Sequence, residues 1–76
     1  MAGHPTRAGI LVLLEPGERT TTALGAEFNW VRNTIVPHLH MLQASRLVEG
    51  RRDGHNMFHS LTAAGRAMVR AIRTLE

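Results

Sequence analysis

The chain contains no cysteine and no lysine. Without cysteine there is no disulfide framework and no thiolate zinc site, and the composition suits a reducing compartment. The longest apolar run, ILVLL at 10–14, falls far short of a bilayer span. The amino terminus, MAGHPTRAG, lacks the basic segment and apolar stretch of a secretory signal. The expected setting is cytoplasmic, with no membrane partner. A phosphate-cradling glycine loop is missing, and neither Ser45 nor Ser60 stands where a base would activate it. At 76 residues a deep substrate cleft is hard to build, and neither an enzyme nor a cofactor is expected. One domain spanning 1–76 is the expected organisation.

What is present is arginine. All 9 basic residues other than histidine are Arg, against 6 acidic residues, for a net charge of +3. The sequence pI is about 11.5. The planar guanidinium fork suits bidentate phosphate recognition. Arg46, Arg51, Arg52, Arg66, Arg70 and Arg73 all fall in the second half of the chain, which points to a basic face.

A first helix is expected from about Thr6, as N-cap, to Glu15, where EPGE turns the chain. Run 10–14 reads equally well as a buried strand. Threonines 20–22 offer either a short extended segment or the cap of a second helix, TALGAEF, in which Leu24 and Phe28 share a face. NWVRN then leads to a third helix with a core stripe of Ile35, Leu39 and Leu42, and its Trp30 is expected in the core or at an interface. Within a helix Pro37 would cost about 3 kcal/mol. The helix is therefore expected to start at Asn33 or Thr34 and run to about Ser45, keeping the proline in the first turn, where amides have no helical partner. Two extended runs, RLVEGR and NMFHSL, flank RDGH, in which Asp53-Gly54 is a hairpin signal. Thr62 is placed to cap a last helix carrying Val69, Ile72 and Leu75.

The order helix, helix, helix, hairpin, helix is that of a winged helix-turn-helix, mainly α with a small β-hairpin: a three-helix core, a wing and a C-terminal helix. Such a fold suits double-stranded DNA, because the third helix fits the major groove and the wing reaches backbone or minor groove. The segment TIVPHLHMLQASRLVEGRRDGHNMFHSLTAAGRA, through Pro37, Leu39, Leu42, Leu47, Val48, Phe58, Leu61, Thr62 and Gly65, resembles winged-helix regulators of the PadR type, which are related to the MarR and ArsR types. The resemblance implies a transcriptional regulator. Val36 replaces an aromatic residue of that pattern, and Arg46 replaces the glycine that ends the helix, at a cost of roughly 1 kcal/mol if the turn is left-handed.

On the third helix Asn33, Pro37, His40 and Ala44 are expected to face outward, flanked by Val36, Met41 and Gln43. Asn33 or Gln43 could read adenine, Val36 a thymine methyl, and Arg32 is the nearest donor for guanine. Phosphate contacts are expected from Arg32, Arg46, Arg51 and Arg52, from His55 and His59 in the wing, and from the helix start at Thr21 and Thr22. The histidines lack a completing carboxylate or thiol, and no metal site is expected. A homodimer through the C-terminal helix, together with the first, would supply selectivity that one small module lacks. An alternative use follows from the apolar outward residues Val36, Pro37 and Met41: a winged helix that docks a partner protein.

Overall fold

The computed structural model describes residues 5–28 and 32–75, with side chains described for 6–28 and 34–75. Trp30 lies outside the described residues. The elements are α1 (Pro5–Leu13), β1 (Arg19–Thr20), α2 (Thr21–Glu27), α3 (Arg32–Ala44), β2 (Val48–Asp53), β3 (Asn56–Leu61) and α4 (Ala63–Leu75).

The apolar run is helical through Leu13. Ile10, Leu11 and Leu14 are buried, the spacing of one helical face, whereas a strand would have alternated. The helix starts at Pro5 and ends at Leu13, slightly ahead of the expected Thr6 and Glu15. Beyond it Pro16 and Gly17 turn the chain, and Arg19 donates from Nε to the Leu13 carbonyl at 3.0 Å, covering one of the acceptors a helix end leaves open.

Both readings of the threonine run are realised. Thr20 ends β1, and its Oγ1 also accepts from the Ala23 amide at 3.1 Å, capping α2. The two-residue β1 pairs antiparallel with β3, so the expected hairpin is a three-stranded sheet in the order β1-β3-β2. Nothing in two residues of local sequence marks a strand; the pairing is made by β3.

Helix α3 begins at Arg32, earlier than the expected Asn33 or Thr34, so Pro37 is its sixth residue and lies past the first turn. The proline leaves the Asn33 carbonyl without its helical amide, a cost of about 3 kcal/mol. Ile35, Leu39 and Leu42 are 1%, 1% and 2% exposed. Each such side chain contributes about 1.5–3 kcal/mol on burial, so the stripe outweighs the proline. The helix closes through Arg46 N–H to Gln43 O and Leu47 N–H to Leu42 O, both 3.0 Å. These are the paired bonds of a Schellman motif, with Arg46 in the left-handed position at φ 62°. Because Arg46 and Leu47 belong to this turn, β2 starts at Val48 and not at the expected Arg46.

Strands β2 and β3 pair from Val48↔Leu61 to Asp53↔Asn56, leaving Gly54 and His55 as the two-residue turn. Gly54 alone of the two has positive φ, 63°, the pattern of a type II′ turn and not of an Asp-Gly type I′ turn. Thr62 caps α4 as expected, accepting from Gly65 N–H at 3.0 Å while its hydroxyl donates to Arg46 O at 2.6 Å. A Cβ on Gly65 would run into the Leu47 carbonyl, so this position must stay glycine for α4 to seat. The core joins Ile10, Leu11 and Leu14 of α1 and its end to Leu24, Ile35, Leu39, Leu42, Val48, Leu61 and Val69. Ile72 is half-buried, and Leu75, expected on the same stripe, is 88% exposed.

Candidate nucleic-acid interface

The wing has two unlike faces because strand residues alternate. Gly50, Arg52, Met57 and His59 turn toward α3, while Arg51, Asp53 and Phe58 take the other side. Helix α3 sits directly on the inner face: a Cβ on Gly50 would strike Gln43 Nε2 and Met57 Cε. Among the expected DNA contacts, Val36, His40 and Gln43 of α3 meet Arg52 of β2 and Thr21 of α2 around one crevice. Pro37 and His40 are exposed, and Val36 and Gln43 half-buried. Arg46 stands apart at the far end of α3, His55 at the wing tip and Thr22 on the exposed side of α2. The side chains of Arg32 and Asn33 lie outside the described residues.

The two neighbouring wing arginines differ. Arg51 donates to Glu18 at 2.6 Å, stands 3.9 Å from Asp53 and lies 4.8 Å above the Phe58 ring. Its guanidinium pKa is raised, first by the hydrogen bond to Glu18 and next by that carboxylate's charge. Arg51 thus ties the wing to the turn after α1. Arg52 is exposed and has no ion pair among the described residues. Arg46, Arg66 and Arg70 are likewise exposed and unpaired there, whereas Arg73 holds Glu15 at 2.6 Å.

One expectation changes on burial. His59, taken as a wing histidine near phosphate, is 3% exposed, and its Nε2 lies 2.8 Å from Thr21 Oγ1. Thr21 is 4% exposed, so its hydroxyl is spent inside the fold and only its backbone remains for a phosphate. Burial, and secondarily the charge of His40, hold the His59 imidazole below its ordinary pKa. The partners are 38 residues apart, so no local motif announces them. The signal that was available is the period-two pattern Met57, His59, Leu61, which puts the histidine on the core side of β3. Among the described residues no group of three or more His, Asp or Glu comes together as a metal would require.

The comparisons decide the family. A model described as a helix-turn-helix domain matches residues 2–51. A solved structure of a possible transcriptional regulator for arsenical resistance is 37% identical, over 93% of this chain and 74% of that one, with a TM-score of 0.80. The chain belongs to the helix-turn-helix family. It is a DNA-binding transcriptional regulator with a winged helix-turn-helix fold. The homodimeric winged helix-turn-helix DNA-binding domain Mb0332 from Mycobacterium bovis, a possible ArsR-family regulator, is 25% identical over 95% of this chain and 68% of that one, with a TM-score of 0.85. HlyU from Vibrio cholerae N16961, at 23% identity, covers 96% of this chain and 80% of its own, with a TM-score of 0.87, and shares the fold. No curated protein sequence matches the chain. Within the helix-turn-helix frame, α2 and α3 are the two helices of the motif and β2–β3 is the wing.

Proposed function

We propose that the regulator lays α3 in the major groove and sets the wing on flanking backbone or minor groove, acting as a non-catalytic, cytoplasmic homodimer. The single observation that supports this docking is the convergence of His40, Gln43 and Val36 of α3 with Arg52 of the wing on one side of the molecule. Arg52 and Arg46 are the phosphate contacts this reading favours, because their guanidinium groups are not held by carboxylates among the described residues. Val36 and Gln43 are the base-facing candidates, and Asn33 with Arg32 completes the set at the start of α3. His55 at the wing tip and the amides of Thr21 and Thr22 supply weaker backbone contacts.

The dimer reading rests on exposed apolar surface. Met68 and Leu75 of α4 and Met41 of α3 are 43%, 88% and 51% exposed, and they border a groove of about 390 Å³ with Arg7, Leu11 and Leu47. A homodimeric relative of the same fold supports a second copy as its occupant. As to type, the PadR-like motif and the arsenical-resistance and ArsR-family neighbours point to different branches; the 37% identity favours the ArsR side. Chemical-shift mapping with a duplex containing the regulated operator, or random duplex at low salt, tests the docking. Shifts gathered in 33–46 and 51–55 are expected. Shifts confined to α1 and α4 would overturn it.

A further inference from the structure

Two apolar grooves flank the contact of α1 with α4. One, of about 390 Å³, is bordered by Arg7, Met41, Met68 and Leu75, and the other, of about 570 Å³, by Val12, Glu27 and Phe28. Ala8 and Ile72 border both, so these two residues divide one groove from the other. Each groove carries a single charged residue, and the two are of opposite sign: Arg7 in the first and Glu27 in the second. Arg7 is half-buried and has no ion pair among the described residues. Glu27 is exposed, and its ion pair with Arg19 spans 3.9 Å, beyond hydrogen-bond reach.

A second copy that covers the first groove encloses Arg7, and an enclosed cation needs an acid. The copy itself must bring it. Glu15 and Glu18 are already held by Arg73 and Arg51 at 2.6 Å each, and Glu49 and Asp53 belong to the wing. Glu27 is the acid that borders the same surface. A two-fold dimer uses one patch twice, and the direction of its axis decides what meets what. An axis along the line from Ala8 to Ile72 lays the Arg7 groove of each copy on the Glu27 groove of the other. An axis across that line sets Arg7 toward Arg7 and Glu27 toward Glu27, where like charges repel.

We propose that the second copy docks with its axis along the Ala8–Ile72 line, so that Arg7 of each copy pairs with Glu27 of the other across the α1–α4 surface; the proposal rests on the dimer reading above. The two grooves then close on each other, and the exposed Met68 and Leu75 are covered together. Arg66 and Arg70, about half a turn round α4 from Met68 and Leu75, stay in water. The paired charges fix the alignment of the copies, while the apolar side chains supply most of the attraction.

The test measures dimer dissociation by sedimentation equilibrium at low salt for the wild type, Arg7→Glu, Glu27→Arg and an equimolar mixture of the two variants. Each reversal alone sets like charges against each other twice per dimer and is expected to weaken it about tenfold or more. In the mixed dimer both pairs are opposite again, with their order exchanged, so mixing is expected to restore an affinity near that of the wild type. A variant that had merely lost its fold would gain nothing from mixing. A wild-type dimer that neither reversal weakens, or weakened variants that mixing does not restore, overturns the Arg7–Glu27 pairing and leaves the dimer reading standing. A dimer that also survives Met68→Glu, at an exposed position of α4, overturns the assignment of the interface to this surface, and a wild type that stays monomeric overturns the dimer reading and the pairing together.

Discussion

Arg46 holds a left-handed backbone that costs a non-glycine residue about 1–2 kcal/mol, and its exposed side chain meets no carboxylate among the described residues. Glycine here would relieve the strain, less its own loss of chain entropy. Arg46→Gly is therefore expected to raise stability by about 0.5–1 kcal/mol, some 2–8 °C in a domain of this size, while weakening DNA binding. Thermal melts and a titration of the same variant check the two halves; unchanged affinity would mean that the side chain contacts nothing on DNA. Gly65 presents the opposite case. Any Cβ there meets the Leu47 carbonyl, which is backbone held by the Thr62 amide at 3.1 Å and cannot step aside. Gly65→Ala should cost about 1–3 kcal/mol in denaturant unfolding, where an exposed alanine substitution in α4 such as Arg66→Ala should cost little.

Whole elements were legible in the sequence where periodicity or a cap carries them. The stripe of Ile35, Leu39 and Leu42, the hairpin from Val48 onward and the Thr62 cap all stand in the structure. What escaped depends on partners distant in sequence: β1 exists only against β3, and the Thr21–His59 bond joins α2 to the sheet across the whole helix-turn-helix. The proline rule misplaced the start of α3 because burial of three aliphatic side chains outweighs one missing amide. For the site, the wing dipeptide read as two equivalent clamps, and only the fold shows that Glu18 already holds Arg51. The joint between β3 and α2 has a pH signature. His59 has a folded pKa below its usual 6.5, so the unfolded chain binds the proton first. The contribution of this residue is full above about pH 6.5 and is lost as pH falls through that value toward the folded pKa. Melting temperature should drop from about pH 7 to about pH 5, and His59→Gln should flatten that drop. An equally steep profile in the variant would assign the acid sensitivity to other groups.

At the scale of the whole molecule, where the net charge is +3, four exposed arginines without an ion pair among the described residues lie on two sides: Arg46 and Arg52 near α3, and Arg66 and Arg70 on α4. The first pair flanks the proposed DNA face, and the second lies on the helix assigned to the dimer. Recognition with few base-reading side chains must draw most of its energy from phosphates, and binding of that kind releases counterions. The most direct measurement is duplex affinity by fluorescence anisotropy across a salt series for the wild type, Arg51→Ala and Arg52→Ala. The expected result is binding at low salt that falls linearly on a log–log plot, a slope reduced by about 1 in Arg52→Ala for every sequence tested, and a smaller change in Arg51→Ala. Absence of binding at low salt, or an Arg52→Ala slope equal to wild type, would contradict the assignment of α3 and the wing to DNA.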